Sequence, residues 1–415
     1  MTGQQNSDSL RERTIQELKT RREKLLNNGV NSIPSPFKRF SDDFVGIEQG
    51  TYYTITSFTK GGKSQFTSYT FIYNALMFAY YSKKDIKVTI LYFALEETPE
   101  RIMQRFMSYI LNDFTKGKIR ISPSGLRSTK NDCPVPQEVL DLLENDEIKD
   151  ILDYFEANIH FPTESNPTGI YKYCKNYAEQ HGKVITKKSK YKDEFGNIQE
   201  VDAFSRYIPD NPNEYVIPII DTINLVDEER GMDKKKSMDK LSEYLAKHLR
   251  NRYNQSPVVI QQQNFDQEGN DAFKLNRIRP SIASMGDSKY TSRDSNVVLG
   301  LFSPMRFGLN EYMGYDITKF KDHIRFLEVL VNRDGNMGGI IALYFDGATC
   351  TFKELPLPND TINMNKVYNS LSELKKNTID KVFFLFDRNK CKKDIDKKKK
   401  LFNFANFLKK LWRKF

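Results

Sequence analysis

Between a strand signal at Tyr52 to Thr56 and a helical run from Lys63 to Ser82, the chain passes through Ser57-Phe58-Thr59-Lys60-Gly61-Gly62, and the helix opens on Lys63-Ser64. No other stretch restricts the fold as tightly. A strand that ends in a Gly-rich loop and feeds straight into a helix aims successive backbone N–H groups, and the positive end of the helix dipole, at one point. Such a cradle suits a triphosphate, with Lys63 placed to reach the β and γ phosphates and the Ser64 hydroxyl to ligate Mg²⁺. In the spacing G-x-x-x-x-G-K-[ST] the first glycine is replaced by Ser57. The candidate nucleotide-binding residues are therefore Ser57, Thr59, Lys60, Gly61, Gly62, Lys63 and Ser64.

The fold class is set by the chain beyond this loop. Val88 to Leu95 is an almost wholly apolar run, as expected of a strand covered on both faces of a parallel sheet. Thr98-Pro99-Glu100 then starts a helix to about Leu111 with a capping residue, a proline and an acid in the first turn. Further strand signals lie at Ile217 to Val226, Val258 to Gln261, Asn296 to Phe302, Phe326 to Val331 and Ile340 to Phe345, with helical periodicity at Asp233 to Arg252. This alternation predicts an α/β fold with a mainly parallel sheet flanked by helices. Ser9 to Asn28 reads as a separate charged helix with Ser9 as N-cap and Gly29 as its stop. The long polar stretch from about 112 to 213 fits the rhythm poorly and reads as an insertion, with Lys183 to Tyr207 as a hairpin turning at Phe195-Gly196-Asn197.

Two acids complete a hydrolytic constellation. Asp221 ends an apolar strand in Ile219-Ile220-Asp221-Thr222, where a carboxylate can hold Mg²⁺ across from the cradle. Glu96 ends the strand adjacent in chain order, placed to orient or deprotonate water, with Glu97 beside it as the solvated one of the pair.

With these residues in place the chain resembles the RecA-like ATPase domain of DnaB-type replicative helicases. Ile33-Pro34-Ser35-Pro36-Phe37 leading to Gly46-Ile47-Glu48-Gln49-Gly50 resembles the family's entry into its first core strand. TSFTKGGKS resembles its phosphate loop, where a non-glycine first position is normal, and LYFALE its strand with the catalytic glutamate, which assigns that role to Glu96. The Asp221 strand resembles its Walker B strand, and VVIQQQN the strand ending in a phosphate-sensing glutamine, matched by Gln262. Arg279-Pro280-Ser281 through Asp287-Ser288 to Asn296 resembles the next motif, and Val331-Asn332-Arg333-Asp334-Gly335 the segment with the arginine finger, matched by Arg333. The family's lysine two positions before the finger is Val331 here, and an arginine expected before Asp287 is Gly286.

The resemblance implies ATP and Mg²⁺ as cofactors, hydrolysis at the subunit interfaces of a homo-oligomeric, hexameric ring, and DNA helicase or translocase activity in replication. A trans-acting Arg333 implies a ring, and the Ser9 to Asn28 helix lies where the family's inter-subunit linker helix lies. Channel loops that contact single-stranded DNA match Arg230, Lys234, Lys235 and Lys236 after the Walker B strand, and Lys274, Arg277 and Arg279 after the Gln262 strand. These would neutralise phosphates without reading bases. A RecA-like recombinase, a helicase-loader ATPase and a nucleotide-binding structural ring protein without unwinding activity are the alternatives.

The organisation expected is a linker helix at 1–30, an ATPase core at 31–355 and a basic tail at 356–415. From Pro356 onward there are 16 Lys and Arg against 6 Asp and Glu, which accounts for the whole net charge of +10. The tail ends in an amphipathic basic segment with Leu401, Phe404, Leu408, Leu411, Trp412 and Phe415 on one helical face. It suits docking on a replication partner, on the chain's own core or on DNA, with a membrane surface last. A polar start without a signal-like apolar region, and the lack of any long apolar run, predict a soluble cytoplasmic protein. Richness in Asn, Lys, Ile, Tyr and Phe, with no larger N-terminal domain, fits a phage or mobile-element version acting in the host cytoplasm. Cys133, Cys174, Cys350 and Cys391 are scattered, so neither a zinc module nor a disulfide framework is expected.

Overall fold

The computed structural model describes residues 9–82, 84–192, 195–263, 278–285 and 289–371. Two compact units divide the chain: 1–99, 153–303 and 325–341 form the first, and 100–152, 304–324 and 342–415 the second.

Among the described residues, seven strands form the sheet of the first unit: β1 (Tyr53–Ser57), β2 (Lys87–Ala94), β3 (Ile159–His160), β4 (Glu214–Asp221), β5 (Val258–Gln262), β6 (Val297–Phe302) and β7 (Ile324–Asn332). Their spatial order is β7-β6-β1-β5-β4-β2-β3. All neighbours run parallel except β6 and β7. The apolar runs predict this sheet because both of its faces are covered: every residue of β1 is buried, as are the six inner residues of β2.

Successive strand residues face opposite sides, which assigns the helices. On one side Tyr52, Leu91, Phe93, Ile220 and Val259 pack with Leu241, Leu245 and Leu249 of the helical run from Lys234 to Tyr253. On the other, Tyr53 meets Phe71 of the run from Lys63 to Tyr81, ring centroids 5.2 Å apart. Both runs contain a π-helical turn, at Ser68–Tyr73 and Tyr244–Arg250. Ahead of β1, Ser32–Pro34 pairs antiparallel with Gly46–Glu48, Ile33 opposite Ile47.

The expected insertion of about 112–213 needs correcting, because part of it is core. Ile159–His160 adds the edge strand beside β2, and Ile170 and Cys174 of the helix Pro167–Gln180 lie fully buried in the cluster around Leu91 and Leu245. Its polar exterior and short strand hid that role. The hairpin does form, from Gly182–Lys192 paired with Ile198–Pro209.

The N-terminal helix spans Leu10–Leu26, held at its start by a reciprocal capping box between Ser9 and Glu12. None of its residues is buried, and Leu10, Leu18, Leu25 and Leu26 are more than half exposed.

In the second unit, helix Pro99–Phe114 carries Ile102, Phe106 and Ile110 on its buried side. The Asp346 carboxylate receives two hydrogen bonds from the Arg120 guanidinium, at 2.5 and 2.6 Å. Burial alone would raise the pKa of Asp346, but the Arg120 bonds and charge, the Ala348 N–H and Thr349 outweigh it and hold the carboxyl below its usual range. Residues 361–371 of the basic tail are helical. The amphipathic segment Leu401 to Phe415 lies outside the described residues.

Among the described residues, no helix is long and apolar enough to cross a membrane.

Candidate nucleotide site

In an open parallel sheet, ligands bind beyond the carboxyl ends of the strands. Ser57, Asp221 and Gln262 each end a strand there, and Glu96 lies two residues past the end of β2. One edge therefore collects four groups that the sequence separates widely.

The candidate phosphate loop takes its shape from two glycines with different duties. Gly62 has φ +97° and precedes the helix that starts at Lys63, a left-handed conformation that L side chains resist. Gly61 is required by proximity: a Cβ there would stand 2.2 Å from Ser57 Oγ. Ser57 is fully buried and its hydroxyl donates to the Phe58 carbonyl at 2.8 Å. The Lys63 ammonium donates to the carbonyls of Ser57 and Phe58 at 3.3 and 3.4 Å, inside the loop it would share with phosphate. Lys60 also adopts a left-handed conformation, φ 58°.

Ser64 and Asp221 meet across the site, Oγ donating to Oδ1 at 3.0 Å. A hydroxyl and a carboxylate oxygen turned to one point are hard donors of the kind Mg²⁺ takes alongside waters and phosphate oxygens. The other carboxylate oxygen accepts from the buried Tyr92 hydroxyl at 2.6 Å. Ala94 pairs with Asp221, and Leu95 N donates to the Asp221 carbonyl at 3.0 Å, which brings the exposed Glu96 beside this pair.

The three consecutive glutamines separate by strand alternation. Gln261 is buried on the Met285 carbonyl and Thr291, and Gln263 is buried on Thr56 Oγ1 at 2.7 Å. Gln262 points the other way and donates through its side chain to the Thr59 hydroxyl of the loop. Its backbone N–H donates to Asn224 Oδ1 at 3.1 Å, which ties β5 to the turn after Asp221.

Arg333 lies at the opposite edge. Asn332 pairs with Val297, which pairs with Tyr53, and Arg333 N donates to the Asn296 carbonyl. Tyr53 is four residues before Ser57 along β1, so Arg333 stands at least about 13 Å from the level of its own phosphate loop. Burial first, and then the Arg333 charge beside it, push Arg250 below its usual value.

The expected DNA-contacting residues fare unequally. Arg230 and Lys235 are exposed on the segment after β4. Lys236 is paired with its own N-cap Asp233 at 3.7 Å, and the Lys234 ammonium is bound to the Val226 carbonyl. Arg279 is engaged by Glu328 at 2.6 Å. Lys234, Lys236 and Arg279 are thus engaged within the chain itself. Lys274 and Arg277 lie outside the described residues, as do Gly286 and Asp287.

Tyr92, Asn224 and Arg325 went unrecognised in the sequence. Arg325 is 1% exposed and its Nε donates to the Gly61 carbonyl at 2.8 Å. The available signal was an arginine near the head of a strand whose other residues, Glu328 and Asn332 apart, are apolar.

No family model matches the chain, and no curated protein matches it. Solved structures do. A DnaB-like replicative helicase, described with its interactions with primase, superposes with a TM-score of 0.55 at 14% identity, covering 85% of this chain and 68% of that one. A second solved structure, itself an ATPase domain, gives a TM-score of 0.53 at 14% identity, covering 82% of this chain and 99% of that one. At that identity the likeness speaks for the fold, and the fold is the RecA-like one of DnaB-type helicase ATPase domains.

Proposed function

We propose that this chain is an ATP- and Mg²⁺-dependent DNA translocase of the DnaB-like helicase type, hydrolysing ATP at the interfaces of a hexameric ring in replication. The observation that carries the reading is the convergence of Ser64, Asp221, Gln262 and the phosphate loop at one sheet edge, with Arg333 at the other. The first group can bind and polarise a triphosphate; the last cannot reach it within one subunit.

In this reading the loop N–H groups and Lys63 hold the phosphates, and Ser64 with Asp221 holds the metal. Mg²⁺, when bound, would neutralise charge developing on the phosphate oxygens. Glu96 takes the proton of the attacking water, Gln262 reports the state of the phosphates to the Asn224 turn, and Arg333 completes the neighbouring subunit's site. Leu10, Leu18, Leu25 and Leu26, all more than half exposed on the N-terminal helix, support a role as linker onto that neighbour. Arg230 and Lys235 are the channel cations best placed for single-stranded DNA, and Lys274 and Arg277 remain candidates. A replication partner for the tail, the cytoplasmic setting and the phage origin belong to the same proposal.

DNA-stimulated ATPase activity, with electron microscopy of the same sample, tests it. Wild-type chain should hydrolyse ATP as closed rings, and Lys63→Ala should abolish turnover. Filaments would favour the recombinase alternative, and rings that bind ATP without hydrolysing it the structural one. Removal of residues 1–30 should weaken the ring; unchanged mass on dilution would put the helix on its own subunit.

A further inference from the structure

Among the described residues, Arg325 is the largest side chain that is fully buried. An arginine cannot shed its charge, so burying one is costly unless acceptors meet it. Its neighbours on β7, Ile324, Phe326, Leu327 and Val329, are all apolar, and packing alone would be served as well by another apolar residue. The guanidinium meets the phosphate-loop edge through its Nε, which donates to the Gly61 carbonyl. The register puts it there: Glu328 pairs with Gly300 and Gly300 with Thr56, so Arg325, three residues earlier on the antiparallel strand, projects past Ser57 onto the phosphate-loop edge.

Peptide geometry gives this bond its consequence. The Gly61–Gly62 bond is trans, so its C=O and N–H lie in one plane and point in opposite directions. Pinning the Gly61 oxygen back onto a buried cation turns the Gly62 N–H away from the core and strengthens it as a donor by polarising the amide. Gly62 is the residue that opens the phosphate helix.

We propose that Arg325 is a positioning residue for nucleotide binding: it fixes the Gly61–Gly62 peptide so that the Gly62 N–H faces the phosphates. This rests on the proposed role of the loop as a nucleotide site. A backbone donor used equally before and during phosphoryl transfer contributes uniform binding, so its misplacement raises KM and leaves kcat nearly unchanged. A residue needed only for folding lowers the active fraction and leaves KM alone.

The test measures ATP hydrolysis and ADP binding on the full chain for wild type, Lys63→Ala, Arg325→Met and Arg325→Lys, with thermal melts of each. Arg325→Met keeps most of the volume and removes the donor. It should fold and raise both KM for ATP and the ADP dissociation constant by about tenfold, the loss expected for one charge-assisted hydrogen bond. Arg325→Lys should recover part of that loss. Unchanged KM and ADP affinity in Arg325→Met, a fall in kcat alone, or failure of both variants to fold would each overturn the proposal. If wild type binds no ADP, the nucleotide-site reading falls and this inference with it. If Lys63→Ala loses binding and Arg325→Met keeps it, only the inference falls.

Discussion

Replacing Gly61 by alanine isolates one contact in the phosphate loop. The added Cβ would lie 2.2 Å from Ser57 Oγ, 2.9 Å from Ser57 Cβ and 3.0 Å from the Phe58 carbonyl oxygen. Ser57 cannot swing away freely, because it is fully buried and its hydroxyl is bound to Phe58 O. Relief must come from the loop backbone, and overpacking of this kind costs about 1–3 kcal/mol. If that strain is taken from the nucleotide-bound form, affinity falls about 5- to 150-fold. Gly61 does not occupy the left-handed region, so the alanine backbone itself adds no penalty. The same distances supply the remedy: Ser57→Gly removes both nearest atoms. Ser57→Gly alone should cost about 1–2.5 kcal/mol of stability, the entropy of one added glycine plus one lost hydrogen bond. The double variant Ser57→Gly/Gly61→Ala should recover most of the affinity that Gly61→Ala loses. ADP titration and thermal melts of the four proteins complete a double-mutant cycle. Wild-type affinity in Gly61→Ala, or a double variant no better than the single, would refute the argument from proximity.

Other expectations are independent of that cycle. Glu96→Gln should bind ATP with near wild-type affinity and fail to cleave it, checked by nucleotide retention against phosphate release. Rings mixed from Arg333→Ala and Lys63→Ala subunits should regain activity at the interfaces where both groups survive; demonstrated mixed rings with none would exclude a shared site. Tyr92→Phe removes a buried donor from Asp221 and should raise the Mg²⁺ concentration for half-maximal activity about tenfold, with little change in saturating rate. In the second unit, Arg120→Met should destabilise by roughly 2 kcal/mol, less than the loss for a fully enclosed pair because Arg120 is 29% exposed. Because the folded state holds Asp346 below its unfolded value, that pair's contribution is complete above about pH 4 and declines as pH falls through the folded value. Denaturant melts should show the difference between wild type and Arg120→Met shrinking in acid.

The candidate site was legible where the chemistry is local. Gly62, Lys63 and Ser64 are consecutive, and a strand feeding a Gly-rich turn has few other uses. Gln262 could be chosen from three glutamines only through the family resemblance. The structure separates them physically, because alternation buries Gln261 and Gln263 and turns Gln262 to Thr59. Arg279 shows the reverse case, since its carboxylate partner Glu328 comes from a distant strand.

Periodicity by itself determined that this chain alternates strands and helices, because apolar runs of strand length require cover on both faces. The consecutive Gly62, Lys63 and Ser64 marked the loop proposed for phosphate. Only the tertiary structure decided that Ile159–His160 and the helix after it belong to the core, since a two-residue strand carries no pattern. Only the sheet order decided that Ser64 touches Asp221 across 157 residues of chain, that Arg325 reaches Gly61 across 264, and that Arg333 stands at the far edge. Those outcomes depend on which strands are neighbours and in what register, and pairing over such separations is settled by burial of the whole sheet, which no local stretch encodes.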